Sequence, residues 1–292
     1  MPWFSYHGGH SGSFCTHARD ELGAVVERAV EAGFTHYGLS EHAPRDRAVD
    51  LFPDERELGL GPAELAATFE DYGREARRLQ DVFADRIELL VGFETERLPP
   101  GSWDARMAGL RAEGAFDYVV GSVHDVDGVW IDASAETTAG LVETLGGRGA
   151  LEVRYFEALS ELVERVRPEV VGHPDLVRRF DPPGGGLTPE GLAAAEGVLD
   201  AALEVGAALD VNSGALRRGG PLYPCTELLA RARETGVPVT LGDDSHGVDQ
   251  VGRGLDQALA AIAEAGYERV HYLVRAGGGV EWRSAALDEL HS

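Results

Sequence analysis

The chain has 292 residues, is 43% hydrophobic, and carries a formal net charge of -24 with every one of its 26 basic residues an arginine. That length and apolar content suit one substantial core, normal for a single α/β barrel, so one domain is expected over residues 1–292. The acidity excludes nucleic acid as a preferred partner, since such a field repels a polyanion at long range. No apolar run approaches the roughly 20 residues of a membrane helix, and the N-terminus lacks the pattern of a signal peptide, so no membrane association is expected. Two cysteines, Cys15 and Cys225, with no close Cys pair argue against a disulfide framework and for a reducing, cytoplasmic setting. Nothing in the sequence sets an oligomeric state.

In chain order, strand and helix alternate. An opening strand at about 3–7 is followed by a helical pattern over 20–33, with acids at its start and Gly33 at its end. A strand near 35–40 runs into a long polar connection, 44–62, of the kind that forms a lid or a substrate-binding loop. A helix over 62–83, a strand at 87–93, a helix at 104–113 and a strand at 117–123 come next, then a helix at 150–167 and a strand at 169–172. The loop 180–186 reads as a Pro/Gly turn without any phosphate-cradle motif. Thr188 and Pro189 open a helix that closes on Gly206. Strands at 207–212 and 237–242 flank a helix at 221–236, and the tail reads as a hairpin about Gly277–Gly279 with no catalytic part. Such alternation implies a parallel sheet with helices outside it.

The chemistry lies at the ends of these strands. His7 and His10 (FSYHGGHSG), His42 (GLSEHAPR), Glu94 (LLVGFETE), His124 (VVGSVHD), His173 (VVGHPD), and Asp244 with His246 (TLGDDSH) each sit at or just after an apolar run. Imidazole and carboxylate are ligands for Zn²⁺, Mn²⁺ or Fe²⁺, and gathering them from distant strand ends is how a barrel builds a polynuclear site at its mouth. Glu94 leaves a buried strand and must meet cations or titrate neutral, so a bridging place between two metals fits it best. His36, His271 and His291 read as structural or surface residues. His17 is ambiguous on spacing alone, Cys15 reads as a small packing residue, and Asp243 faces away from its neighbour Asp244. The pattern indicates a metal-dependent hydrolase. No G-x-S-x-G elbow competes with it.

With these motifs in hand, the chain resembles the PHP (polymerase and histidinol phosphatase) superfamily over most of its length. HGGHSGSFCTHA, GFTHYGLSEHAPR, LLVGFETE, DYVVGSVHDV, VVGHPDLVRRF and VTLGDDSH carry the likeness, while LSEHAPR and DVNSGALR look most like the histidinol-phosphatase branch. The resemblance implies a distorted seven-stranded (β/α) barrel holding three divalent transition metals. One would take His7, His10, Glu94 and Asp244; a second Glu94, His124 and His173; a third His17, His42 and His246. The family's first motif is His-x-His, whereas here it is His7-Gly-Gly-His10, which demands a bulge or turn because strand alternation puts i and i+2 on one face.

The activity so implied is hydrolysis of a small phosphate monoester, L-histidinol phosphate first, other small phosphates or nucleotides second. A metal-binding subunit without turnover and a polymerase-associated nuclease are the remaining readings. The first is opposed by the complete ligand set, the second by the acidity. Glu94 would be catalytic as the bridging ligand, and Asp244 or His246 would protonate the leaving alkoxide. Arg45, Arg178 and Arg217 are candidate phosphate contacts, each equally readable as a surface arginine. A substrate bearing an ammonium and an imidazole calls for an acidic wall, for which Glu41, Asp46 and Asp125 are the candidates.

Overall fold

The computed structural model describes residues 2–96, 103–112, 116–182 and 184–290. Seven of its strands run parallel in one sheet: β1 (Phe4–Ser5), β2 (His36–His42), β3 (Glu88–Glu96), β4 (Tyr118–Ser122), β7 (Val170–Val171), β8 (Ala208–Asn212) and β9 (Val239–Gly242). Their order in the sheet is their order in the chain, apart from the small β5–β6 ribbon (Asp125–Val126 with Val129–Trp130), which pairs only with itself. Tyr6 N–H donates to the Leu241 carbonyl at 2.9 Å, which brings the two sheet edges together and nearly closes a barrel. These are the seven strands expected from the sequence. Their interiors are buried on both faces, as in β3, where Leu89, Leu90, Val91 and Phe93 are at most 1% exposed, as a parallel sheet with covered faces requires.

Helices α1 (Leu22–Glu31), α3 (Pro62–Val82), α7 (Pro189–Val205) and α8 (Thr226–Thr235) fall within the predicted helical stretches, while α4 (Trp103–Ala112) and α6 (Arg148–Val166) begin one and two residues before theirs. In α7 the Thr188 hydroxyl accepts from Gly191 N–H, Pro189 takes the first position, and Gly206 ends the helix in the left-handed region. The start predicted for α8 at residue 221 is corrected to Thr226. Tyr223 instead exchanges backbone hydrogen bonds with Asn212 at 2.8 and 3.2 Å, and that bridge holds the preceding segment extended. Three helices escaped the sequence reading: α2 (Pro53–Glu57) inside the long polar connection, α5 (Ala135–Leu145) and α9 (Leu255–Glu264). The tail forms the expected hairpin, β10 (Arg269–Ala276) against β11 (Gly279–Ala286). No helix among the described residues is long and apolar enough to cross a membrane.

One aromatic side chain shows how tightly the barrel is filled. Tyr118, at the start of β4, lies across β3 and β2, and its hydroxyl donates to the Tyr6 carbonyl at 2.9 Å. The ring passes Gly92 so closely that a Cβ there would stand 2.3 Å from it. A strand glycine at that point marks the close approach of another group.

Candidate metal centre at the barrel mouth

Parallel strands point their carboxyl ends to one rim, and the predicted ligands collect there. His7 lies two residues beyond β1, His42 ends β2, and Glu94 stands opposite His42 in the register of β2 and β3. His124, His173 and Asp244 each follow a strand by two residues, after β4, β7 and β9 respectively. The His7-Gly8-Gly9-His10 spacing is met by a turn. The strand has already ended, Gly8 and Gly9 take φ values of 151° and 73°, and both imidazoles come inward fully buried.

Glu94 is the hub. Its Oε1 lies 3.2 Å from His7 Nε2, 3.6 Å from His124 Nε2 and 3.2 Å from His173 Nε2. Its Oε2 lies 3.1 Å from His42 Nδ1 and 3.8 Å from His10 Nε2. Asp244 Oδ1 is 4.0 Å from His10 Nε2 and 3.5 Å from His246 Nδ1. Donor atoms within 4.8 Å of one another form overlapping sets, among them His7, His10 and Glu94; His7, His173 and Asp244; His10, Asp244 and His246; His10, Glu41 and His42; and His17, His42 and His246 with Cys15. The cluster is therefore continuous, and His17 belongs to it.

The donor set fits divalent cations. Among the described residues His7 Nε2, His10 Nε2 and Glu94 Oε1 are buried without a hydrogen-bond partner, a costly state for groups that instead face one another at ligand-like spacing. The opposite ring nitrogens are held by acceptors. His7 Nδ1 donates to Asp210 Oδ2 at 2.7 Å, His10 Nδ1 to Glu41 Oε1 at 3.2 Å, and His246 Nδ1 to the Asp244 carbonyl at 3.0 Å. Such contacts fix the tautomer and leave Nε2 as the ligand atom. His17 Nδ1 meets Asp54 Oδ2 in the same way at 3.2 Å.

The electrostatics agree with that chemistry. Burial, helped by the neighbouring His10, pushes His42 down to about 3, and burial likewise holds His246 well below the usual imidazole range. Both are thus neutral donors at physiological pH, as metal ligation requires. For Glu94 burial works upward, yet His7 and His42 outweigh it and hold the carboxyl well below its ordinary value. Burial also opposes the charge on Asp244, and His7, His246 and Arg217 overcome it.

The centre opens into a cleft of about 360 Å³, whose walls include Trp130, Asp132, Leu176, Arg179, Arg217, Arg218 and Tyr223. Phe52, Pro53 and Asp54, from the polar connection after β2, close one side, so that loop does reach the site. Of the three arginines proposed from sequence, Arg217 faces this cleft, donating to the Asp244 carbonyl at 3.1 Å. The other two are corrected. Arg178 is 2% exposed and committed to Asp175 at 2.7 Å and the Gly185 carbonyl, bracing the loop behind the site. Arg45 ion-pairs with buried Glu55, stacks 4.2 Å over Phe52, and lines a smaller cavity on the far side of His17 and His42.

The sequence reading missed Arg179 and Arg218, each the second arginine of an Arg-Arg pair; the 3-10 turn at 176–178 puts Arg179 at the mouth and Arg178 behind it, whereas Arg217 and Arg218 both line the cleft. It missed Asp210 as well, although a carboxylate inside the apolar run ALDVN was a signal that some partner must be buried with it. Asp243 turns away from Asp244, accepting from the Tyr37 hydroxyl and Gly252 N–H. Of the three acids suggested for a substrate wall, Glu41 is occupied by His10 and Ser11 N–H, and Asp125 accepts from Gly128 N–H in its own hairpin. Asp46 has Arg106 at 3.9 Å and is not among the residues lining the cleft.

A nearly closed barrel of seven parallel strands with a histidine and carboxylate cluster at its carboxyl rim defines a metal-centre hydrolase architecture. Residues 7–214 match the PHP domain model. The chain is 34% identical to a probable histidinol-phosphatase of Schizosaccharomyces pombe across 97% of its length and 94% of that protein. It is 28% identical to the histidinol-phosphatase of Saccharomyces cerevisiae across 88% of both. Its fold superposes on a putative histidinol phosphatase of Listeria monocytogenes with a TM-score of 0.75 at 25% identity, covering 87% of this chain and 99% of that one. The histidinol phosphate phosphatase of Lactococcus lactis, solved with zinc, L-histidinol and phosphate, gives 0.68 at 20% identity over 95% and 98%. The chain belongs to the PHP domain family, in its histidinol-phosphatase branch.

Proposed function

We propose that this protein hydrolyses L-histidinol phosphate to L-histidinol and phosphate with three divalent cations at the barrel mouth. The observation that carries the reading is the juxtaposition, in one cleft, of the Glu94-centred ligand cluster with Arg179, Arg217 and Arg218. Held by His7, His10, His17, His42, Glu94, His124, His173, Asp244 and His246, the cations would activate water and neutralise the phosphoryl oxygens. A donor set dominated by imidazole, with two carboxylates, suits zinc, manganese or iron.

The chain's own residues supply the rest. Among the described residues none of the three cleft arginines forms an ion pair, and apart from the Arg217 Nη1 donor spent on the Asp244 carbonyl their planar forks keep donors for a phosphate. Burial, and then the charges of Arg179 and Arg217, lower the pKa of Arg218, as expected where three cationic side chains share one wall of the cleft. His246 commits Nδ1 to the Asp244 carbonyl and turns Nε2 toward the cluster, whereas the Asp244 carboxylate keeps 21% exposure to the cleft. Asp244 is therefore the better placed of the two to face the leaving group, and as a carboxylate held in its charged form it would orient the water that gives the alkoxide its proton.

The test is phosphate release from L-histidinol phosphate, p-nitrophenyl phosphate and a nucleoside monophosphate with Zn²⁺ or Mn²⁺ supplied. The expected kcat/KM favours histidinol phosphate by at least about a hundredfold, the lower end of what differential contacts with a substrate's side groups supply. Equal rates on all three esters would assign the protein to a general phosphoesterase role instead.

A further inference from the structure

The cleft carries charge of both signs, and one of its carboxylates has no structural duty. Four acids line it: Asp54, Glu94, Asp132 and Asp244. Glu94 and Asp244 belong to the ligand cluster, and Asp54 accepts from the Thr16 hydroxyl and faces His17. Asp132 differs. It follows buried Ile131, whose N–H is tied to the His124 carbonyl at 2.9 Å, so its backbone is fixed next to a ligand residue. The helix that begins at Ala135 is capped by Ser134, which leaves the Asp132 carboxylate free of that task. Among the described residues it accepts no hydrogen bond and enters no ion pair, even though Arg218 lies near enough to feel its field. A half-buried carboxylate kept from an arginine in its own cleft is positioned for a cation that is not part of the chain.

We infer that Asp132 is a specificity-determining residue that binds the ammonium group of the substrate. This rests on the functional reading above, which gives the cleft a ligand with a phosphate dianion at one end and a primary ammonium a few bonds away. The arginines and the cluster take the dianion. The ammonium then needs an acceptor in the same cleft that the ligand cluster does not use, and among the described residues lining the cleft Asp132 is the carboxylate that meets both conditions. Trp130, two residues earlier on β6, packs edge-to-face on Phe52 with ring centroids 4.7 Å apart, giving the adjoining wall an aromatic surface for an imidazole.

The test compares Asp132→Asn with the unsubstituted enzyme on L-histidinol phosphate, on its amine-free analogue 3-(imidazol-4-yl)propyl phosphate, and on p-nitrophenyl phosphate. The variant is expected to lose on the order of 10- to 100-fold in kcat/KM on histidinol phosphate, mostly through KM, with both amine-free esters unchanged. Equal losses on all three esters would overturn the inference by making Asp132 a structural residue. A loss shared by the two imidazole esters alone would also overturn it, because the carboxylate would then be reading the ring. Full retention of the preference for histidinol phosphate would overturn it outright while leaving the functional reading intact. If the unsubstituted enzyme shows no such preference, the functional reading fails and takes this inference with it.

Discussion

Asp210 illustrates how a residue that need touch neither cation nor substrate can govern the centre. It is fully buried on β8, receives His7 Nδ1–H at 2.7 Å and is held in place by the Asn212 side-chain amide at 2.8 Å. Its Oδ2 also accepts from His173 N–H at 3.3 Å, so one carboxylate orients two ligand residues. Together with Glu94 it raises the pKa of His7 against the opposing effect of burial. Replacing it by asparagine keeps the shape but lets the amide present a donor toward the imidazole, releasing the tautomer that aims Nε2 at the centre. Asp210→Asn is expected to weaken metal binding or activity roughly 10- to 100-fold, the usual cost of removing such an orienting carboxylate. Metal content after dialysis and a metal titration of activity check this; unchanged metal affinity would reduce Asp210 to a packing role.

At the scale of elements, what could be read from the sequence depended on whether the signal was local. The barrel strands were legible because parallel strands covered on both faces spell out apolar runs, and the ligands were legible because each run ends in a polar residue. The β5–β6 ribbon and α2 were not, since both are short and take their places by packing across the mouth, as Trp130 does on Phe52. The orientation of Arg178 relative to Arg179 was equally beyond reach. It is set by Asp175, which also receives Cys225 N–H at 2.8 Å from a distant part of the chain. Packing at Gly92 belongs to the same non-local class. Nothing in LLVGFETE announces that Tyr118 must lie 2.3 Å from where a Cβ would be, yet β3 can carry Glu94 to the rim only if the ring and the strand fit. Gly92→Ala is expected to cost about 1–3 kcal/mol of stability by overpacking, because the atoms a Cβ would meet are ring atoms of a buried tyrosine. Denaturant unfolding of the two proteins measures it, and a difference below a few tenths of a kcal/mol would mean that the ring can move aside.

For the molecule as a whole, the ligand cluster is also a seam. Its side chains come from the ends of β1, β2, β3, β4, β7 and β9, so cations bound there would tie together most of the barrel's carboxyl rim, including the β1–β9 contact at which the sheet closes. That contact is slight: β1 has two residues, and the junction relies on Tyr6 N–H with Leu241, Asp244 N–H with His7 and His10 N–H with Ser245. A ligand that binds only the folded state stabilises it by RT ln(1 + [L]/Kd), about 4 kcal/mol at a thousandfold excess over Kd. For a domain of this size each kcal/mol moves Tm by roughly 2–4 °C, so complete chelation is expected to lower Tm on the order of 10 °C and to abolish phosphatase activity. Added Zn²⁺ or Mn²⁺ should restore both. The two effects can be separated with His17→Ala, which removes a half-exposed ligand at the outer edge of the cluster while sparing the buried Glu94 set. That variant is expected to lose activity yet keep most of the metal-dependent rise in Tm, since the buried cations still bridge the strands. A variant that loses the whole rise would show that the outer cation, near α2 and the loop after β2, fastens the mouth of the barrel.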